Sequence, residues 1–373
     1  MAKIYEAVKI GFDQIDQNFI RDWIDLIGRC TDPNAYLDPA FVLSALKYLK
    51  HKRITIVALY HVYSEQRILV GLGVFEFYMA TFRHPFPQFQ AYKSTHSPLS
   101  GLLIDRDMTF EIVSFLMKYL GTRYWYMVGV RFRDFPTTDA LGQVLGQFDK
   151  GKWTTFWDYR RAVYTIPEER GDSWSGEISK KRLASYRKSL RDMEKLGALD
   201  WQIISSSEVS ESTVADFLRV EHSGWKGEKG TSLLSNSRHT QFFKETIEQL
   251  RERQQVFFSE LRLNGKLIAG TCNFISGNKA FAFKIGWDID YKKYSPGIVC
   301  VIEFLRHTDK KILNLYQFES GSTGNSFIDH YWHERWDIAD GFFAFNGHGV
   351  LIIRLLETAR QSIKSLIRLL KIK

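Results

Sequence analysis

Glu319 ends an apolar stretch and stands immediately before Ser-Gly-Ser-Thr-Gly324, while Glu260 lies inside Val256–Leu263, a run rich in β-branched and aromatic residues. A carboxylate in either place can take or give a proton. Glu319 is the better placed, since loops at strand ends are where α/β folds put their chemistry. Pro296-Gly297 opens an apolar helical run, IVCVIEFLRHT, directly after the polar loop Tyr291-Lys-Lys-Tyr-Ser295. Proline suits the first helical position, where its missing N–H costs nothing, and the free N–H groups and dipole of that first turn make a seat for phosphate. Backbone at Ser295, Pro296, Gly297 and Ile298 is therefore expected to hold an anion, with Lys292 and Lys293 screening its charge. His222, Trp225 and Lys226 close another helix and enter the Gly-rich WKGEKG, where an aromatic beside cations suits the edge of a sugar or nucleotide. Lys284 and Asp288 flank the end of a strand and can face an anionic substrate. Ordinary structure explains the same residues as outward-facing charges, a core tryptophan or a helix that merely starts on proline. No His/Cys set has ligand spacing, so no metal is expected.

The elements that must position these residues read as follows. Val256–Leu263 and Lys266–Ile275 are strands joined by Asn264-Gly265, a pair that supplies the positive φ of a two-residue hairpin turn. Gly277-Asn278 turns the chain again into a third strand, Ala280–Trp287. Upstream, Asn18–Gly28 and the run beginning at Pro39 are helical. Arg53–Tyr63 and Arg67–Tyr78 form a hairpin resembling the later one, RILVGLGVF beside KLIAGTCNF. Thr109–Leu120 is expected to be a helix, Tyr124–Val130 a strand and Pro136–Gly151 a loop; Trp153–Ile166 is either a strand pair or an exchange of chain between the halves. After Pro167–Gly171 come a basic helix over Ile178–Leu196, a short strand, helices over Ser210–Glu221 and Ser235–Leu250, and strands over Ile312–Phe318 and Trp336–Phe345.

At 373 residues the chain exceeds one comfortable core and suggests two domains. Against 42 acidic residues stand 51 basic ones, for a net charge of +9, which favours phosphates, RNA or an anionic membrane surface as partners. Three cysteines without metal spacing fit a reducing cytosol, and MAKIYEAVKIGFDQIDQ has no apolar core of a signal peptide. No apolar run reaches the roughly 18 residues that span a bilayer. Residues 350–373 form an amphipathic pattern whose narrow polar face is almost wholly basic, as a helix lying on anionic lipid requires; docking on the protein body would explain the apolar face equally well.

Six pieces carry a family resemblance, in order: SKKRLASYRKSLRDMEKLG, FLRVEHSGWKGEKGTSL, QFFKETIEQL, LRLNGKLIAGTCNF, WDIDYKKYSPG and FESGSTGNSFIDHYWHERW. Over residues 176–340 they resemble the acetyltransferase domain of the CelD-like proteins of polysaccharide biosynthesis, within the GNAT superfamily. Residues 1–165 match more weakly, through the first hairpin and HSPLSGLLID, and the related Fem-type aminoacyltransferases have two such units in tandem. The resemblance implies a mixed α/β fold of two GNAT-like units, residues 1–165 and 166–349, followed by the basic helix 350–373. It implies an acyl-coenzyme A donor, acetyl-coenzyme A in the first place, seated at 295–298. The acceptor would be an amino-sugar or other envelope precursor, small or lipid-linked. Glu319 or Glu260 would then be the general base, and Tyr331, beside His330 and His333, the general acid for the departing thiolate. The chain departs from the family in two places. Only Gly297 stands where coenzyme A enzymes usually have a glycine-rich pyrophosphate loop, and His333 replaces a lysine before the last tryptophan. Aminoacyl transfer from a charged tRNA, or a catalytically degenerate scaffold in polysaccharide assembly, are the alternatives. The protein is expected in the cytoplasm, peripherally on the inner face of the membrane.

Overall fold

The computed structural model describes residues 4–63, 66–80, 86–149, 151–169, 178–324, 326–345, 351, 353–356, 358–359 and 362. The first half runs β1 (Ile4–Ile10), α1 (Gln17–Arg29), α2 (Pro39–Tyr48), β2 (Ile54–Tyr63), β3 (Gln66–Tyr78), β4 (Gln88–Ala91), β5 (Leu103–Ile104), α3 (Thr109–Arg123), β6 (Gly129–Pro136), α4 (Ala140–Gln147) and β7 (Trp153–Thr165). The second runs α5 (Lys180–Glu194), β8 (Leu199–Ile204), α6 (Glu211–His222), α7 (Trp225–Glu228), α8 (Ser237–Glu252), β9 (Val256–Leu263), β10 (Lys266–Ser276), β11 (Lys279–Trp287), α9 (Pro296–His307), α10 (Lys310–Leu313), β12 (Gln317–Glu319) and β13 (Glu334–Ala344).

All thirteen strands join one mixed sheet, ordered β1-β2-β3-β4-β6-β13-β7-β12-β11-β10-β9-β8, with β5 paired to β3. Exchanging β1–β4 with β8–β11, β6 with β12 and β7 with β13 turns this order into its own reverse. The chain is thus two copies of one α/β unit, and the likeness of the two hairpins reflects a real repeat. At the centre the units trade strands. β7, from the first, pairs with β12 of the second, and β13, from the second, pairs with β6 of the first. β7 and β13 also pair with each other, antiparallel, from Glu334↔Val163 to Phe343↔Trp153. Of the two expectations for residues 153–166, the exchange of chain is the one observed.

One face of the sheet carries α1 and α2 beside α6 and α8 over a common core, with Phe41 meeting Phe242 edge-on at 5.3 Å. The other carries α3 and α4 over the first unit and α5 and α9 over the second. Asn264 and Gly265 have φ of 49° and 77°, as the hairpin turn requires. Three expectations fail locally. Tyr124–Tyr126 lie in a turn with Trp125 81% exposed, and the strand begins at Gly129. The expected loop 136–151 contains α4. Asp309, whose side chain accepts from Ile312 N–H, starts the single helical turn α10, so the strand there shrinks to β12. Of the expected C-terminal helix, the described residues between 351 and 362 are helical; the remainder, including Lys364, Arg368 and Lys371, lies outside the described residues. Among the described residues no helix is long and apolar enough to cross a membrane.

Candidate active site

β11 and β12 are parallel neighbours for three residues only, Lys279–Phe281 against Gln317–Glu319. Beyond them β11 runs on to Trp287, while the other chain leaves the sheet into Ser320–Gly324. Gly321 has φ of 65°, and a Cβ there would stand 2.7 Å from the Ala282 carbonyl oxygen, so the close approach of this loop to β11 needs glycine. A cavity of about 510 Å³ occupies the opening.

The cavity reaches both faces of the sheet. Ser259 lies directly across from Thr271, and its hydroxyl is 3.4 Å from the Cys300 thiol of α9, so Ser259, Thr271 and Asn273 line the α9 side. Asn273 is fully buried; its Nδ2 donates to Thr271 Oγ1, and its Oδ1 has no partner. A bulge sets the other side. Cys272 pairs with Lys284 but Asn273 pairs with Ala282, which leaves Phe283 as an extra residue on β11. Lys284 therefore shares the face of Cys272, toward α6 and α8. There it meets Lys226, whose Nζ donates to Ile285 O at 2.6 Å, and His96, which stacks on Phe242 and is 3.2 Å from His239 of α8.

Burial holds the Lys226 and Lys284 ammonium groups below their ordinary pKa; Glu221 opposes the shift in both, and Lys226 adds to it at Lys284. Burial, with Lys284 and His239 alongside, pulls His96 down to about 3. Its ring is neutral at any working pH. Asp134 is the carboxylate among the described lining residues. Burial raises its pKa, but Lys93, Tyr159 and Arg161 outweigh that and hold it below the usual carboxylate range. Arg161, at the cavity's edge, and Glu319, each 1% exposed, form an ion pair at 2.8 Å.

Residues 180–325 match the family model described as Acetyltransferase (GNAT) domain. That span holds the opening between β11 and β12 and both lysines. It is a GNAT acyltransferase domain. A search of the curated proteins finds no match. Among solved structures the chain resembles FemX at 9% identity and a TM-score of 0.56, covering 93% of this chain and 99% of that one. It also resembles the C-terminal DUF2156 domain of a putative lysylphosphatidylglycerol synthetase from Agrobacterium fabrum, at 13% identity and a TM-score of 0.53, covering 91% and 95%. A conserved protein of unknown function from Bacteroides thetaiotaomicron VPI-5482 aligns at 10% identity and a TM-score of 0.51, covering 87% and 96%. At such identities the likeness is one of fold.

Of the residues expected at the site, Lys226 and Lys284 line the cavity of the GNAT domain. The three expected to move protons do not. Glu260 points away from α9, buried, with Oε2 accepting from Arg262 Nε at 2.8 Å; the strand's phase, unreadable in the sequence, decides against it. Glu319 points below the cavity toward Arg161, and its Oε1 also accepts Gly321 N–H at 2.9 Å. Tyr331 is buried in the core over α9, and burial raises its phenol; it is not among the residues that line the cavity. Asp288 caps the turn before α9 and pairs with Lys266 at 2.8 Å. His222 is exposed and its Nδ1 lies 2.7 Å from Ser232 Oγ. Trp225 is the first residue of α7, next to Lys226 in the chain. At the expected phosphate seat, Ser295, Lys292 and Lys293 are exposed, and Pro296 and Gly297 buried. Ile298 and Val299 N–H already return to Ser295 O, which leaves Gly297 N–H as the seat's donor. A Cβ on Gly297 would meet Trp287 at 3.2 Å, so a bulky residue there would disturb the packing of α9 on β11 before obstructing an anion. Lys93, His96, Arg161 and Asn273 were not among the expected site residues; HSPLSGLLID, which opens with His96, and LRLNGKLIAGTCNF, which contains Asn273, were the signals near them.

Proposed function

We propose that the protein is a CelD-like N-acyltransferase, which moves an acyl group, acetyl in the simplest case, from acyl-coenzyme A to the amine of an amino-sugar or another envelope or polysaccharide precursor, free or lipid-linked. The observation that carries this is the place of the cavity: it opens inside the GNAT domain, where β11 and β12 part, and gives a donor and an acceptor separate faces from which to meet. The α9 face suits the donor. Asn273 Oδ1 is a buried acceptor in want of an N–H, which an amide-bearing arm would supply. Gly297 N–H with exposed Lys292 and Lys293 suits phosphates. Bound there, the thioester would supply an activated carbonyl and a thiolate leaving group. Phe304, Phe318, Ile328 and Trp332 would keep water from that side. Since Lys93 and Tyr159 occupy Asp134, no carboxylate among the described lining residues is free to serve as base.

The protein divides, on this view, into units 1–165 and 166–349, with only the second binding donor. In the first, α3 holds the place of α9, and its approach and first turn carry Asp107 and Glu111 beside Arg106, with Asp105 paired to Arg29, a turn that offers phosphate no excess of positive charge. Titration calorimetry with acetyl-coenzyme A is expected to give one site per chain. Two sites would sink the division of labour, and no heat would favour the scaffold alternative.

A second reading, aminoacyl transfer from charged tRNA, is favoured by α5, where Lys180, Lys181, Arg187, Lys188 and Arg191 are exposed beside the turn that carries Lys292 and Lys293. Aminoacyl-tRNA should then bind in the same calorimeter, with affinity falling steeply as salt rises. The cytoplasmic, peripheral placement is likewise proposed. Ile353 is buried against Phe342 and Ala344, while Leu351 and Leu355 are 62% and 63% exposed. Sedimentation with liposomes should show the full chain preferring anionic over neutral lipid and a chain lacking residues 350–373 losing that preference. Equal partitioning of the two proteins would remove the membrane from the proposal.

A further inference from the structure

The α6/α8 side of the cavity holds more positive charge than its own side chains neutralise. Lys284 leaves β11 beside the bulge at Phe283, half-buried, with its Nζ 5.7 Å from the Phe283 ring centroid. Among the described residues it makes no hydrogen bond and no ion pair. The groups facing it are Lys226, His96, His239 and one carboxylate, Glu221. Glu221 is fully buried and already committed: Oε2 accepts Leu233 N–H at 2.8 Å, and Oε1 lies 3.6 Å from Lys226 Nζ. Its one negative charge offsets Lys226 and leaves Lys284 without a counter-ion. The neighbouring imidazoles cannot supply one, being neutral or cationic. An ammonium group held out of water without a partner is costly, and a protein that keeps one in a cavity commonly has a ligand to match it.

We propose that Lys284, with Lys226 beside it, binds an anionic oxygen group of the acceptor, a carboxylate or a phosphate, so that the acceptor is an amine that also carries negative charge. This rests on the cavity being the transfer site proposed above. The geometry supplies the order of parts. The anion sits on the α6/α8 side, the acyl donor on the α9 side, and the acceptor's amine between them where the sheet opens. A neutral amino-sugar would leave Lys284 as it stands, half-buried and unmatched, and would be the poorer substrate.

The test uses the full chain and three matched probes: glucosamine, glucosamine 6-phosphate and 2-amino-2-deoxygluconic acid. Calorimetry is expected to show the phosphate or the carboxylate compound binding at least about tenfold more tightly than glucosamine, the scale of one charge-assisted contact. In Lys284→Met that preference should vanish, and in Lys284→Arg most of it should remain. Without any probe, Lys284→Met should melt at the same temperature as the parent or higher, because the variant has lost an uncompensated charge. A side chain kept for structure would do the opposite. An anion preference absent from the parent, an undiminished preference in Lys284→Met, or a lowered melting temperature in that variant would each overturn the proposal. Acetyl-coenzyme A is titrated separately. Its binding with no anion preference sinks only this inference, whereas its failure to bind the parent sinks the function on which the inference rests.

Discussion

Residues 166–349 produced without the first half of the chain are expected to remain unfolded, and production together with residues 1–165 is expected to rescue both. The reason lies in the exchanged strands. Both neighbours of β13 in the sheet, β6 and β7, come from the first unit. Alone, the second unit would leave β13 with no partner on either edge. Trp336, Ile338, Phe342 and Phe343 would lose the surfaces that bury them. Exposing four such side chains costs roughly 6–12 kcal/mol at about 1.5–3 kcal/mol each, as much as the whole stability of an ordinary domain, about 5–15 kcal/mol. β12 would also lose β7 and keep only its three-residue pairing with β11. Circular dichroism and gel filtration of each piece, alone and co-produced, check this. For the same reason the intact chain should unfold in one transition. A folded, monomeric 166–349, or two separated transitions in the intact chain, would show that the exchange is not needed.

What the sequence made legible was local. Asn264-Gly265 fixes a hairpin because few other pairs accept left-handed φ twice, and the helix starting at Pro296 follows from a property of proline. The exchange of strands left a trace in residues 153–166, a strand-like run standing where the two halves meet. What misled was composition without phase. Trp125 and Tyr126 resemble a strand, yet they are a surface turn. The true strand, Gly129–Pro136, carries Arg131, Arg133 and Asp134, because its edges face the cavity and the other unit rather than a uniform core. Glu260 and Lys284 were equally eligible for a site. The register shifts at Ile268 and Phe283 set how the neighbouring strands line up with them, and a bulge is a property of pairing that a single strand does not declare. His96, Lys93 and Arg161 reach the GNAT cavity from the other unit, a closeness in space that nothing in their local sequence encodes.

Arg161 is where that long-range closeness is concentrated, and replacing it by methionine is expected to destabilise the protein by about 3–5 kcal/mol, the range for removing one partner of a buried ion pair. Over 373 residues, at about 2.1 cal/mol/K each, this is a fall in Tm of roughly 4–6 °C. The guanidinium donates to Glu319 Oε1 at 2.8 Å, Ser322 O at 2.7 Å, Pro98 O at 3.1 Å and the Tyr159 hydroxyl at 2.6 Å. It thereby ties β7 to β12, to the loop under the cavity and to the segment that carries His96. Methionine fills similar volume but leaves Glu319 charged and buried with only Gly321 N–H for company. Lysine keeps the charge but cannot present four donors in a planar fork, so Arg161→Lys should recover only part of the loss. Adding Glu319→Gln to Arg161→Met should restore stability relative to Arg161→Met alone, since the stranded charge disappears. In Glu319→Gln by itself, turnover should fall by far less than the roughly 10²-fold that the loss of a general base brings, because this carboxylate lies below the cavity rather than in it. Thermal melts of the three single variants and the double variant, with acyl-transfer rates measured well below each Tm, separate the possibilities. A double variant no more stable than Arg161→Met would mean that the lost carbonyl and hydroxyl contacts matter more than the charge. A full hundredfold loss of turnover in well-folded Glu319→Gln would return that carboxylate to the chemistry.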